Sequence, residues 1–276
     1  MPLIEYENSM LFSSDPSLGA INRSSDGSSF EVQFGEPLSI PKNAVNCSVS
    51  VFESTIWYTV PNLTVSNNRL YIYGDSNTLP SVPTLYSVII PKGLYDLGAL
   101  SSAVLSQLSD LGARISPLPL ISFYADSNTQ KVVIKFNYSN VYIDFTQTNT
   151  FREIIGFLPL IYGPYTNSPL SIIASNVASF NQINYFLISS NIVSQGIRIN
   201  NKFNNILSQV LITVSPGSQQ VSAPFNPAKI QCNELVGSSR TNLKFSLTDD
   251  KLRAVDTNGE YFTLRLVIKY YVNSDL

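Results

Sequence analysis

From Phe30 to Val272 the chain is a succession of short runs in which β-branched and aromatic residues alternate with polar ones, and Pro, Gly or Asn closes each run. Phe30-Glu31-Val32-Gln33-Phe34 has a period of two, as do residues 45–58 and 69–73. A side chain period of two puts successive residues on opposite faces of a pleated strand, so each run can bury one face and wet the other. Further strands are expected at 121–124, 131–137, 141–145, 185–190, 209–214, 228–232, 243–247 and 260–272. The last run is too long and apolar for an exposed edge and is expected inside a sheet.

Two stretches depart from this rhythm. Between residues 93 and 111, Leu94, Leu97, Leu100, Val104, Leu105 and Leu108 recur at three- and four-residue spacing, which predicts an amphipathic helix. A short second helix is expected at 149–155, with Asn149 or Thr150 as its cap and Gly156 as its stop. The fold class read from this pattern is all-β: an antiparallel two-sheet sandwich of the single jelly-roll type with an α-containing insertion. The strands of 30–82 and 166–276 would make the sandwich, and 83–165 an inserted helix-hairpin-helix segment.

Residues 1–29 are polar and Ser-rich, with turn signals at Asp15-Pro16 and Asp26-Gly27, and are read as an extended arm. Ile4, Tyr6, Met10, Leu11 and Phe12 form a small apolar group in it. A solvated tail has little use for such a group, so the arm is expected to dock on a neighbour while the rest of the fold stands without it.

Composition narrows the function. Of 276 residues only 13% are charged, about half the share of roughly 25% usual in globular chains, and 44% are hydrophobic. Surfaces carrying Ser, Asn, Thr and Gln hydrogen-bond water without repelling a neighbour, which suits a protein whose surface is covered in its working state. The 17 basic and 19 acidic residues are spread thinly, and Arg23 is the one cation among the first 30 residues, so no direct nucleic-acid contact is expected. The amino terminus lacks the pattern of a secretory signal, and no apolar run approaches the roughly 20 residues of a membrane span, so no transmembrane segment is expected.

Histidine is absent, which removes Ser-His-Asp, Cys-His and His-ligated zinc chemistry. No enzyme activity, cofactor or metal is expected. Cys47 and Cys232 each sit in an apolar, strand-like run and are read as buried free thiols in preference to a disulfide. Asp249 and Asp250, with Asp256 and Glu260, are the densest acidic cluster. Their spacing is not that of a calcium loop, and a solvated turn with Asn258-Gly259 closing a hairpin is the preferred reading. The aromatic share of 11%, Trp57 included, is compatible with a sugar-binding face, although alternate strand positions place half of such residues in a core.

Pro91-Lys92-Gly93-Leu94-Tyr95-Asp96-Leu97, the helix through Leu108, the hairpin of 122–136 and Val141-Tyr142-Ile143-Asp144-Phe145 lead in order to Thr150-Phe151-Arg152-Glu153-Ile154-Ile155-Gly156-Phe157. That series resembles the minor capsid, or penton, proteins of Polinton- and virophage-like icosahedral double-stranded DNA viruses. In those a G-x-Y-x-hydrophobic helix start is followed by a hairpin and an L-L-G-F-like element, whose place Ile154-Ile155-Gly156-Phe157 takes here. A second block, 209–216, Pro224-Phe225-Asn226-Pro227, Leu247-Thr248-Asp249-Asp250 and Asn258-Gly259-Glu260, carries the likeness onward; the region before residue 85 carries none of it.

The resemblance implies a jelly-roll subunit that forms a homopentamer at the fivefold vertices and locks against a major capsid protein, with a vertex spike or fibre as a further candidate partner. It places the protein in the virion, after synthesis in host cytoplasm. Ile154, Ile155, Gly156 and Phe157, with Phe157 as a buried anchor, and the arm group are the candidate structural and assembly residues. The competing readings are a viral spike or receptor-binding β-domain and a carbohydrate-binding module.

Overall fold

A computed structural model describes residues 3–74, 83–113, 118–164, 170–181, 183–200 and 202–273. The strands in chain order begin with β1 (Leu3–Ser13), β2 (Ala20–Ile21), β3 (Ser29–Ser39) and β4 (Ala44–Trp57). There follow β5 (Arg69–Gly74), β6 (Thr84–Ile89), helix α1 (Leu97–Asp110), β7 (Ile121–Ala125), β8 (Val132–Phe136), β9 (Tyr142–Asp144), β10 (Ile161–Tyr162) and β11 (Leu170–Ile173). The chain ends with β12 (Tyr185–Ser190), β13 (Arg198–Ile199), β14 (Lys202–Phe203), β15 (Ile206–Leu211), β16 (Gln219–Ser222), β17 (Ile230–Gln231), β18 (Ser239–Thr248) and β19 (Thr263–Asn273). They fall into two compact units, Met1–Val60 with Ile183–Leu276, and Pro61–Gln182.

The first unit contains two five-stranded antiparallel sheets, ordered β1-β19-β4-β16 with β17 also on β4, and β15-β12-β18-β3-β2. Taking β1, β3, β4, β12, β15, β16, β18 and β19 as first to eighth, the sheets read first-eighth-third-sixth and fifth-fourth-seventh-second. That interleaving is a single jelly roll. The two inner faces share one core: Val49, Leu264, Leu266 and Ile268 from one sheet meet Phe30, Phe186, Leu243 and Phe245 from the other. Strand β19 lies between β1 and β4, inside its sheet as its length requires. Its alternation explains why: Leu264, Leu266 and Ile268 are fully buried, and Lys269 on the opposite face pairs with Glu5 at 3.1 Å and Glu7 at 2.7 Å.

The expected arm is instead part of this sandwich. Strand β1 pairs with β19 rung for rung from Leu3↔Asn273 to Ser13↔Thr263, with no bulge, and Phe12 is buried. Ser14 continues the ladder, donating its N–H to the Phe262 carbonyl and accepting the Phe262 N–H on its Oγ, both at 2.9 Å. Beyond it Asp15 caps the short helical turn Pro16–Leu18, and Ala20–Ile21 pairs with β3. The turn signals are therefore real turns within an ordered segment. Glu5, Glu7, Asn8 and Ser9 make this edge strand read as polar, and its partner β19 is distant in sequence.

The second unit is inserted between β4 and β12. It is larger than the expected 83–165 segment: the run at 69–73 belongs to it, because β5 pairs with β6 and β9. Its sheets run β10-β9-β5-β6 and β11-β8-β7. Helix α1 starts at Leu97 because Asp96 caps it, accepting the Ala99 N–H at 2.7 Å, and it buries Leu100, Val104 and Leu108 at four-residue intervals. The expected second helix is a single 3-10 turn, Phe151–Glu153, preceded by Asn149 at a positive φ of 60°. So short a helix closes too few hydrogen bonds to propagate.

Candidate assembly site

The residues singled out from the sequence separate into a buried and an exposed set. Ile154, Ile155 and Phe157 are buried in the core of the second unit. Phe157 sets its ring 5.5 Å from that of Phe145 and 5.2 Å, edge on, from that of Tyr162. Gly156 stands at φ +80°, and a Cβ there would lie 2.2 Å from the Asn176 carbonyl oxygen. The close approach serves a clamp: Asn176 donates to the Gly156 carbonyl at 2.9 Å, and Ser179 donates to that of Ile154 at 2.7 Å. These four residues thus hold the 3-10 turn against the segment at 174–179; they offer no surface to a ligand.

The amino-terminal group divides along the strand. Phe12 is in the core and Met10 packs against it, whereas Leu11 is 75% exposed and Ile4 and Tyr6 are nearly half exposed. Tyr6 stacks on Tyr270 of the neighbouring strand at 5.4 Å. The outer edge of β1 carries no strand among the described residues. An eleven-residue edge with neither bulge nor Pro is open to pairing with an extended segment from outside.

Phe225 was not singled out from the sequence alone as a surface residue, yet its side chain is wholly exposed, at 106% of the reference value. It lies between β16 and β17 in Pro224-Phe225-Asn226-Pro227, and Val221 of β16 is also exposed. The signal that could have found it is the prolines on either side: they deny the segment a ladder and leave an aromatic residue with no face to bury. On the second unit Leu158, Leu160 and Ile161 form an exposed apolar run.

Within the acidic cluster Asp249 and Asp250 hold structure, while Glu260 is exposed. Asp249 is buried and accepts the N–H groups of Lys251 at 2.9 Å and Arg253 at 2.8 Å, with the Arg253 guanidinium at 2.7 Å. Burial works to raise its pKa, but the hydrogen bonds from Arg253 and Lys251 outweigh it and hold the carboxyl below the usual range. Asp250 accepts from Asn184 at 2.7 Å. Asn258-Gly259 does form a turn, at φ 54° and 90°, but it closes no hairpin: β18 and β19 belong to different sheets, and the segment crosses between them. Arg23 fastens that crossing by donating to the carbonyls of Gly259 at 3.2 Å and Glu260 at 2.7 Å, with its guanidinium 4.6 Å over the Tyr261 ring. Among the described residues no three His, Cys, Asp or Glu side chains converge as metal ligands, and no helix is long and apolar enough to cross a membrane.

No family model matches the chain, and neither does any curated protein. Among solved structures it is similar to the mavirus penton protein, at 12% identity over 98% of this chain and 100% of that one, with a TM-score of 0.46. It is also similar to a chain of the Sputnik virophage structure, at 15% identity over 96% of this chain and 97% of that one, with a TM-score of 0.38. At such values the likeness stands as a description, and the jelly roll is read from the chain's own strand order.

Proposed function

We propose that this chain is a minor capsid subunit that forms homopentamers at the fivefold vertices of an icosahedral DNA virus and locks against a major capsid protein. The observation that supports this most is the single jelly roll interrupted between its third and fourth strands by a second unit. The first block of penton-like motifs, 91–157, falls entirely within that inserted unit and contributes Leu100, Val104, Ile143, Phe151 and Phe157 to its core. A jelly roll alone would leave the role open, since the same architecture serves lectins and enzymes. The surface narrows it: Leu11, Phe225, Leu160 and Ile161 stand exposed in a chain with few charges to oppose close approach.

A ring of five is closed by heterologous contacts, so each subunit must offer two different lateral surfaces. The opposite edges of one sheet, β1 on one side and β16 with the Phe225 loop on the other, are such a pair. Negative-stain electron microscopy of the purified chain tests the reading. Ring-shaped particles with fivefold class averages are expected, and particles of one or three subunits would overturn it.

A further inference from the structure

Cys47 and Cys232 lie 185 residues apart in sequence and are fully buried, yet their sulfurs are 3.3 Å apart. The rungs Ile230↔Val49 and Gln231↔Ser48 join β17 to β4, and the Cys232 N–H then reaches the Cys47 carbonyl at 2.9 Å, so the two cysteines face each other on the next rung. Residues opposed across an antiparallel ladder have Cα atoms about 4.5–5.5 Å apart, inside the range of about 4.4–6.8 Å that a disulfide spans. Rotation about the two Cα–Cβ bonds has only to bring the sulfurs some 1.2 Å closer to reach a bond of about 2.05 Å. The chain has only these two cysteines, and an isolated buried one would need no partner to serve as a small apolar side chain.

We propose that Cys47 and Cys232 are a redox modification site, converted by a low-molecular-weight disulfide of the glutathione type into an intrachain disulfide that ties β17 to β4. The Cys47 thiolate attacks one sulfur of the reagent, forming a mixed disulfide and releasing one thiol. Cys232 then loses its proton and attacks the Cys47 sulfur, expelling the second thiol. Two protein thiols are oxidised to one disulfide, and the reagent takes up both electrons and both protons as two thiols. The hydrogen bond to Cys47, and then burial, push the Cys232 thiol up, while the same bond draws Cys47 down, which suits this order.

Access comes from the shortness of β17: two residues hold it to β4, and the 3-10 turn Asn233–Leu235 follows at once. Access would require this segment to open locally, which the few rungs favour and the burial of Ile230, Cys232 and Leu235 in the core opposes, so exchange would be slow. The segment also borders a cleft of 480 Å³ lined by its own Gln231, Asn233 and Glu234 with Lys229, Ser194 and Gln195. The closed loop would run from 47 to 232 and contain the whole of the second unit. Reducing conditions would leave the thiols free while the chain folds, and oxidising conditions would lock the finished molecule.

The reduced full-length protein is incubated at pH 8 with glutathione disulfide, and intact mass and peptide mapping are read. The expected result is a loss of two hydrogens, a Cys47–Cys232 linked peptide, a thermal midpoint higher by roughly 5–10 °C and reversal of all three by dithiothreitol. Cys47→Ala and Cys232→Ala should each abolish the rise; if either fails to fold, the mass and peptide map of the unaltered chain still decide. Two thiols that remain alkylatable after denaturation, or a glutathione that stays attached, would overturn the proposal. The readout is the covalent state of one chain, and repeating it on the dissociated subunit separates it from the reading of the chain as a capsid subunit.

Discussion

Phe12 sets its ring 4.7 Å from that of Phe245, joining the first strand of one sheet to the inner face of the other. The amino-terminal segment is thus part of the core of the sandwich. Phe12→Ala should cost about 3–5 kcal/mol of stability, while Leu11→Ser on the exposed face of the same strand should stay within about 0.5 kcal/mol. Deleting residues 1–13 should lower the thermal midpoint at least as far as Phe12→Ala. An unchanged midpoint after the deletion would restore the picture of a free arm.

The clamp at Gly156 can be separated from its backbone angle. Gly156 and Gly217 have nearly the same φ, +80° and +81°, but only at Gly156 would a Cβ meet another backbone. Both alanine substitutions carry the cost of a left-handed residue, about 1–3 kcal/mol. Gly156→Ala should cost clearly more, by the clash with Asn176, and Phe157→Ala in the same turn about 3–5 kcal/mol. Denaturant midpoints for the three variants give the comparison, and equal losses at the two glycines would contradict the clamp.

Acid stability should depend on Asp249. Its folded pKa lies below the ordinary value, so the unfolded chain takes up the proton first as pH falls. The contribution is therefore present in full above about pH 4 and fades as the pH drops through the folded value. Asp144, which accepts from the Thr146 hydroxyl, from Gln147 at 2.8 Å and from the Thr146 N–H at 2.9 Å, is shifted the same way: burial opposes the shift, and these bonds outweigh it. Asp249→Asn should be most destabilising near neutrality, with its stability curve approaching that of the unaltered chain below pH 4. A constant gap across the acid range would show that the carboxylate's charge is irrelevant there.

If the exposed apolar side chains serve assembly, removing one should spare the fold. Phe225→Ser should leave the thermal midpoint of the dissociated subunit within the change of about 0.5 kcal/mol usual for surface positions, while shifting self-association to higher concentration. Sedimentation velocity over a dilution series reads both populations. Unaltered association would remove Phe225 from the contact.

What the sequence disclosed follows the range of the forces involved. Alternation along a strand is local, so β4, β7, β8, β12 and β19 were legible, and so was α1 from its leucine spacing. Pairing is not local. Residues 69–73 look like any other half-buried strand, and only their bonds to β6 and β9 place them in the inserted unit. The same holds for β1, whose partner is about 260 positions away, and for the two sulfurs, whose proximity no spacing rule foretells. The buried half of the candidate site was legible because Ile154-Ile155-Gly156-Phe157 is apolar around a stop signal. The exposure of Phe225 was not: what leaves it uncovered is the absence of a neighbour, which a string of residues does not record.

The central claim, a subunit built to close a ring of five, is tested most directly by the mass of the native particle in solution. Multi-angle light scattering on the purified full-length chain at micromolar concentration should give a single species of five chains. A stable monomer or trimer under the same conditions would contradict it.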